Sequence, residues 1–252
     1  MLGLAAALLA WEALSRAFEL RPDFLPAPSR IALELWREAP LLRLHGAVTC
    51  LEILSGFLLA VAFAVPVAVL VDGLPRLRPI GAQAISFLKA APLVIVAPLL
   101  IVWLGFGSLP KVLIVVFLCF PPIAAGMLSG LSSVPQAMVD FLRTANPGWL
   151  RSFYMVLLPT SLPELFHGLR TAASMAIVGA AVAEFVGADK GLGYLMIEGM
   201  ARMNTPLVFA ALASLAAIAL ALHAAVVLLR SMLAPAATKR KGIDLVRMTE
   251  SK

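Results

Sequence analysis

Charged residues, cysteines and nucleotide-binding motifs are all scarce in this sequence of 252 residues. Asp, Glu, Lys and Arg make up only 13% of the chain, which is about half of their share in soluble domains. The two cysteines, Cys50 and Cys119, both lie in apolar stretches, so the sequence indicates no disulfide framework. No G-x-x-x-x-G-K-[ST] segment occurs, which excludes ATP hydrolysis by a phosphate-binding loop of this chain.

Apolar residues make up most of the sequence instead. They account for 62% of the chain, and the mean hydropathy of +0.98 is far above that of a water-soluble domain. Runs of roughly 18 to 25 apolar residues are long enough to cross a bilayer as α-helices. We therefore predict an all-α membrane protein with about six transmembrane helices in a single domain, residues 1–252. The predicted spans are Leu2–Phe18, Ala47–Val71, Ala82–Leu104, Lys111–Leu131, Leu169–Val186 and Leu207–Leu233.

Basic residues predict the orientation of these spans. The formal net charge is +6, but Lys and Arg concentrate on the cytoplasmic side of membrane proteins, so the charge does not indicate nucleic-acid binding. Three basic groups fall on one side, which places both termini, the connection after the fourth span and a tail of about residues 235–252 in the cytoplasm. These groups are Arg76, Arg78 and Lys89; Arg143 and Arg151; and Lys239, Arg240, Lys241, Arg247 and Lys252.

The connection from Asp140 to Arg170 is a polar insert between two long apolar stretches. Asn146 and Pro147 form a helix-start signal, since asparagine can cap free N–H groups and proline is tolerated at the first helical position. The short helix that follows is predicted to end near Pro159 and to carry an aromatic ridge suited to a groove on a soluble protein. The alternative is that these aromatic residues anchor the segment at the membrane interface. The ridge consists of Trp149, Leu150, Phe153, Tyr154 and Leu157.

The spacing of this segment resembles the EAA loop of bacterial ABC-importer permeases. In that loop Glu-Ala-Ala, a glycine and a later Ile-x-Leu-Pro hold fixed positions, and here Asp140 stands at the acid and Asn146 at the glycine. The resemblance implies that a coupling loop of about residues 136–165 docks an ATP-binding subunit. The other matching positions are Val156, Leu158 and Pro159, whereas Phe141 and Leu142 replace the alanines. The docking residues implied are Asp140, Arg143, Asn146, Pro147, Trp149, Leu150, Phe153, Leu158 and Pro159.

The likeness extends over most of the chain. Four segments look like the nitrate/sulfonate/taurine branch of the binding-protein-dependent permease family, and members that serve thiamine-pyrimidine or flavin precursors are also similar. The segments are L-P-A-P-S at Leu25–Ser29, A-P-L-L-I-V-W-L-G-F-G at Ala97–Gly107, L-P-T-S-L-P-E at Leu158–Glu164, and A-E-F-V-G-A-D-K-G-L-G-Y-L at Ala183–Leu195.

This resemblance implies a type I ABC-importer permease fold with a cytoplasmic coupling helix, in the bacterial inner membrane. It implies a permease subunit of an ATP-driven importer for a small organic or anionic solute, such as a sulfonate, taurine, nitrate or a vitamin precursor. The implied partners are a second permease copy, two ATP-binding subunits and an extracytoplasmic solute-binding protein. ATP and Mg²⁺ would be bound by the partner, and this chain is expected to hold no cofactor, metal or catalytic residue.

Polar residues and prolines inside the predicted spans are candidates for the translocation path. Glu184 lies near the end of a small-residue helix, where close packing could bring it to the path or to a subunit contact. The alternative is a carboxylate that reaches interfacial water or pairs with a nearby base. Glu52 and Lys89 are expected near span ends, where snorkelling costs little. Prolines free backbone carbonyls that need protein or water partners, and the path candidates are Pro92, Pro98, Pro121 and Pro122.

Two glycine patterns concern helix packing and turns. Gly126 and Gly130 form a G-x-x-x-G pattern, which allows close approach to another helix and is a weak indication of dimerisation. The run Gly187–Gly193 follows a membrane helix rather than a strand, so we predict an external turn and then a short helix, Tyr194–Met203. The three histidines have no metal-ligand spacing and are interpreted as interfacial or helix-packing residues: His45, His167 and His223.

An ion-coupled secondary transporter or a channel is the main alternative function. It would use Glu184 or Glu52 as its coupling site and would need no ATPase partner. The two halves of the sequence show no obvious inverted duplication, which counts modestly against common secondary transporters. A membrane-embedded enzyme is disfavoured, because no Ser/His/Asp, paired-carboxylate or His-rich constellation falls at one membrane depth.

Overall fold

The computed structural model describes residues 2–18, 24–74, 76–90, 93–145 and 147–233. Every regular element in these ranges is helical, which confirms the predicted all-α class. A π-helical turn, Phe153–Leu157, joins α8 to α9. The α-helices are α1 Leu2–Ala17, α2 Pro28–Arg37, α3 Ala39–Gly73, α4 Arg78–Ala90, α5 Leu93–Leu104, α6 Ser108–Ser132, α7 Gln136–Ala145, α8 Trp149–Ser152, α9 Leu158–Gly187, α10 Leu192–Ala201 and α11 Thr205–Leu233.

Four helices within the described ranges are long and apolar enough to cross a membrane, judged by length and composition. They are α3, α6, the continuous helix Trp149–Gly187, and α11, and they contain four of the six predicted spans. The first predicted span corresponds to α1, which has 16 residues. The third overlaps α4 and α5, and residues 91 and 92 between these helices lie outside the described ranges.

The chain forms two compact units, each built from several stretches of sequence. Unit 1 comprises Met1–Gly56, Leu93–Val115 and Ile177–Leu220. Unit 2 comprises Phe57–Pro92, Val116–Ala176 and Ala221–Lys252. The predicted docking residues therefore belong to unit 2, and Glu184 belongs to unit 1.

In unit 1, α1 contacts both α2 and the start of α11. Helix α2 begins at Pro28, where the missing N–H of proline costs no hydrogen bond. Glu12 of α1 accepts hydrogen bonds from the backbone N–H and the hydroxyl of Ser29, at 3.0 and 2.7 Å. Trp11 of α1 lies against Phe209 of α11, with ring centroids 6.0 Å apart. These contacts give α1 and α2 fixed neighbours within the unit.

Unit 2 contains a close contact between α6 and α9. A Cβ atom added to Gly126 would lie 2.7 Å from the backbone oxygen of Glu164, and one added to Gly130 would lie 2.6 Å from that of Ser161. Small residues let two helix backbones approach in this way. The G-x-x-x-G pattern therefore serves a contact within the chain and is not available to a second copy.

Candidate functional site

The predicted docking segment, residues 149–157, presents exposed apolar side chains on unit 2. Trp149 is 60% exposed, and Leu150 and Tyr154 are each 61% exposed. The rings of Trp149 and Phe153 stack with their centroids 5.6 Å apart and their planes 13° apart. Tyr154 meets Phe153 edge-on at 5.4 Å. The i, i+4 spacing of Trp149 and Phe153 places both rings on one helix face, so the predicted aromatic ridge is present.

The helix that carries this ridge begins at Trp149. Gly148 precedes it, and the hydroxyl of Ser152 donates a 3.0 Å hydrogen bond back to the Gly148 carbonyl. The predicted cap, Asn146, lies outside the described residues, and Pro147 is half-buried. The first turn is thus closed by a serine one turn into the helix.

The same helix does not end near Pro159, as the sequence predicts. After the π-helical turn it continues as α9 as far as Gly187. The backbone N–H of Leu158 bonds to the carbonyl of Phe153, five residues back, and such a widened turn accommodates an irregularity within a helix. The prediction of a separate three-turn helix is therefore wrong. The aromatic ridge is joined without a break to a helix of membrane-spanning length.

The other predicted docking residues flank the ridge in sequence. Asp140 is exposed on α7, where the side-chain amide of Gln136 donates a 3.0 Å hydrogen bond to its Oδ1. Leu158 and Pro159 are half-buried at the start of α9. Arg143 belongs to the backbone of α7, but its side chain lies outside the description. The ridge is thus the most exposed apolar part of the predicted set.

A second candidate site is buried in unit 1, around Glu184 of α9. Glu184 is only 2% exposed, so it does not reach interfacial water. The hydroxyl of Thr49 in α3 donates a 2.6 Å hydrogen bond to Glu184 Oε1, and the backbone N–H of Gly193 donates to Oε2. The Thr49 oxygen in turn accepts from the backbone N–H of Leu192 at 2.8 Å. The residue before α10 makes no side-chain cap hydrogen bond. Side chains of α3 and α9 therefore accept the hydrogen bonds of the free backbone N–H groups at the start of α10.

The turn before α10 is shaped by this carboxylate. Gly191 has a φ of +126°, a conformation that favours glycine, and a Cβ atom there would overlap the carboxylate of Glu184. A Cβ atom on Gly193 would lie 2.9 Å from Glu184 Oε2. His45 Nδ1 lies 3.0 Å from both the nitrogen and the oxygen of Gly191, and its ring stacks on Tyr194 at 5.8 Å. The predicted turn and short helix are present, and the helix begins at Leu192 because these side chains fix its start.

An ion pair links α3 to α6 in the same unit. Lys111 Nζ lies 2.5 Å from Glu52 Oε1, and the two side chains are 4% and 3% exposed. Glu184 lies within electrostatic range of both residues, but the ion pair joins Lys111 to Glu52. The expectation that Glu52 snorkels to water is wrong, because other helices cover it and Lys111 supplies the partner that a buried charge needs. The side chain of Lys89 lies outside the described part.

The path candidates among the prolines are distributed over both units. Pro98 is exposed within α5 of unit 1, whereas Pro121 is buried and Pro122 half-buried in α6 of unit 2. The backbone oxygen of Pro122 lies where a side chain at Gly168 of α9 would need to be. Pro92 lies outside the described residues. The α6 prolines therefore sit at the helix pair that the small residues bring together.

Sequence reasoning missed the partners of the buried acids. His45, Thr49 and Glu52 occur at i, i+4 and i+7 in an otherwise apolar helix, which places three polar groups on one face. Such a polar face in a membrane-spanning helix indicates a buried network and could have been recognised. Lys111 could not, because it stands at the edge of a predicted span and resembles an interfacial residue.

Comparison with known proteins finds relatives that are all named as membrane components of transport systems. Residues 56–239 match the family described as "Binding-protein-dependent transport system inner membrane component". A probable ABC transporter permease protein of Haemophilus influenzae is 37% identical over 216 residues, which cover 86% of this chain and 88% of that protein. The riboflavin transport system permease protein of Chloroflexus aurantiacus is 32% identical, with 83% and 79% covered. The taurine transport system permease protein of Escherichia coli is 28% identical, with 92% and 87% covered.

Proposed function

Because the chain belongs to the family of binding-protein-dependent transport system inner membrane components, we propose that it is the permease subunit of an ATP-driven importer. Its fold is accordingly the type I permease fold, and the protein is a multi-pass membrane component of an ABC transporter. The resemblance to ABC-importer permeases seen in the sequence is thereby confirmed. The direction of its termini, its energy source and its solute are parts of the proposal.

The observation that carries the proposal is the exposed aromatic ridge at the head of an unbroken helix. Trp149 and Phe153 form a rigid, stacked pair on its surface, of the kind that anchors a helix in a groove of another protein. Their helix continues through the π-helical turn to Gly187. Movement of a cytoplasmic ATPase subunit bound at the ridge would therefore be transmitted along α9. Rearrangement of this helix against its neighbours would alternate access to the path.

The proposed assembly supplies what this chain does not carry. Two permease copies would line the path, two ATP-binding subunits would dock on the two ridges, and a solute-binding protein would deliver solute from outside. The family description, which names binding-protein-dependent transport, supports the last of these partners. ATP and Mg²⁺ would be held by the ATP-binding subunits. The permease would form the translocation path and would catalyse no reaction.

The proposed solute is a small organic or anionic molecule. The relatives of this chain include permeases named for riboflavin and for taurine transport. These two solutes are both small and polar, but they do not belong to one chemical class. The solute-binding protein would supply most of the selectivity. Ligand binding by the solute-binding protein that works with this chain would identify the solute most directly.

Reconstitution separates this function from ion-coupled transport. The permease and its ATP-binding subunits would be placed in proteoliposomes with the receptor and solute outside, and uptake would be measured with ATP inside. We expect uptake to require ATP and to be unaffected when proton and sodium gradients are collapsed. Uptake by the permease alone, driven by an ion gradient, would contradict the proposal and favour the alternative transporter.

A further inference from the structure

A basic pocket lies between α9 and α11 in unit 2, and its first residue, Pro163, follows the ridge by six positions on the same helix. Its volume is about 380 Å³, and it is lined by Pro163, Glu164, His167, Arg170 and Arg230. Four of these residues come from α9 with helical spacing, which directs them to one side of that helix. Arg230 comes from the last turn of α11. The pocket is large enough for a small polar ligand or a lipid headgroup.

The charges of this pocket are not balanced within the described part of the chain. Two guanidinium groups face one carboxylate, that of Glu164, and none of the described ion pairs includes Arg170 or Arg230. Arg170 Nε is shielded from solvent and has no hydrogen-bond partner. A buried donor without a partner is costly and calls for a missing acceptor, such as an ion. The pocket thus has the composition of an anion site.

The spans predicted from the sequence indicate the depth of the pocket. Arg230 lies three residues before the end of α11, and Arg170 is the second residue of the span predicted at Leu169–Val186. Arginines at the ends of spans lie at the level of the lipid headgroups. Basic pockets between helices at this depth bind the phosphate groups of anionic lipids.

From these observations we propose that the pocket formed by His167, Arg170 and Arg230 binds a phosphate-bearing anion at the membrane surface. Guanidinium groups bind phosphate oxygens through paired, charge-assisted hydrogen bonds. The imidazole of His167 is a further donor, and Glu164 is placed to accept from a hydroxyl of the same ligand. The anion is either the headgroup of an anionic phospholipid or free phosphate, because both present the same oxygens.

The test uses the purified full-length chain in detergent. Short-chain phosphatidylglycerol, phosphatidylcholine of the same chain length and inorganic phosphate are the probes, and native mass spectrometry measures binding. We expect Arg170→Gln with Arg230→Gln to weaken phosphatidylglycerol binding by about fivefold per arginine, or about thirtyfold together. Arg76→Gln removes an exposed arginine that does not line the pocket and should leave binding unchanged. Arg170→Lys with Arg230→Lys keeps the charge but loses the paired geometry. Its affinity should lie between those of the wild type and the double glutamine variant.

The outcomes distinguish the sources of the anion. Preference for phosphatidylglycerol that phosphate does not compete away supports a lipid headgroup, whereas competition by phosphate supports a free anion. Equal binding of the two lipids together with no phosphate binding would overturn the proposal, as would a double variant that binds like Arg76→Gln. If lipid binding is unchanged but association with the ATP-binding subunit is lost, the arginines serve a protein contact and the proposal is also wrong. Arg230→Gln alone, at an exposed position, provides the same comparison if the double variant does not fold.

Discussion

The hydroxyl of Thr49 donates a 2.6 Å hydrogen bond to the carboxylate of Glu184, 135 positions away in sequence. The same oxygen accepts the backbone N–H of Leu192, at the first turn of α10. One hydroxyl group therefore joins α3, α9 and α10. Because all of these groups are buried, each depends on the others for its hydrogen bonds.

Replacement of Glu184 tests this network directly. In Glu184→Ala the Gly193 N–H loses its acceptor, whereas the Thr49 hydroxyl can still donate to the His45 carbonyl at 3.2 Å, so one buried unsatisfied donor costs about 1 to 3 kcal/mol. Glu184→Gln keeps a carbonyl acceptor and should fall between alanine and wild type. The measurement is the thermal unfolding temperature of the purified protein in detergent. As a control, Glu198→Ala removes a partly exposed carboxylate paired with the exposed Arg202 and should shift the unfolding temperature little. Equal shifts for Glu184→Ala and Glu198→Ala would show that the buried network contributes nothing.

The glycines of the turn give a second prediction, based on space rather than charge. Gly193→Ala places a methyl group 2.9 Å from the Glu184 carboxylate and should destabilise the protein. A Glu184→Ala background removes that carboxylate but keeps the Cβ atom of residue 184, which also lies 2.9 Å from the added methyl group, so the added cost of Gly193→Ala should fall in part. Gly191→Ala should remain costly in both backgrounds, because its φ of +126° is unfavourable for alanine in any surroundings.

Thermal unfolding of the three single and two double variants measures these couplings. Gly46→Ala is the matched control, since its Cβ atom would lie 3.9 Å from the nearest atom, in Leu192, and needs no rearrangement. Strictly additive effects of Gly193→Ala and Glu184→Ala would mean that the carboxylate does not set the glycine requirement.

The buried ion pair of Glu52 and Lys111 gives a third prediction. Lys111→Met leaves a buried carboxylate without its cation and should cost about 3 to 5 kcal/mol, and Glu52→Gln leaves the lysine unpaired with a similar cost. The double variant removes both charges and should recover much of that loss. A double-mutant cycle on unfolding temperature measures the coupling. The more exposed pair of Glu198 and Arg202 is the comparison, with an expected coupling of about 0 to 1 kcal/mol. A coupling as small for Glu52 and Lys111 would contradict the prediction.

The features predictable from the sequence are those encoded by neighbouring residues. Apolar runs locate the long helices, and the i, i+4 spacing of Trp149 and Phe153 locates the ridge. The course of the chain after the ridge was not predictable in the same way. Pro159 reads as the end of a helix, but the bond from Leu158 to Phe153 opens the turn enough for the helix to continue, and that depends on backbone geometry.

Only part of the buried network around Glu184 could be predicted from the sequence, for a different reason. A single acid such as Glu184 stands out in an apolar helix, whereas its role depends on groups contributed by α3, α6 and α10. Lys111 lies at the edge of its predicted span, so its sequence position resembles that of an interfacial residue. Its pairing with Glu52 is a result of tertiary packing, which no local pattern specifies.

The docking ridge gives the fourth prediction. Trp149→Ala combined with Phe153→Ala removes two aromatic anchors, and anchors of this kind contribute about 2 kcal/mol or more each. Association with the ATP-binding subunit should therefore weaken by at least about a hundredfold. The measurement is co-purification of the two subunits from detergent-solubilised membranes, followed by titration of the purified components. Membrane insertion should be unchanged, because Trp149 is 60% exposed and supports no core contact.

The matched control is Trp103→Ala combined with Phe106→Ala. These two aromatic residues are 72% and 84% exposed, and in the proposed orientation they lie at the end of the third predicted span that faces away from the cytoplasm. Their loss should leave ATPase association intact, because the ridge is untouched. If both double variants bind the ATP-binding subunit like the wild type, the ridge is not the docking surface and its aromatic residues anchor the segment at the membrane interface instead. If both lose binding, a general loss of apolar surface rather than the ridge explains the effect, and the assignment of residues 149–157 as the docking segment is contradicted.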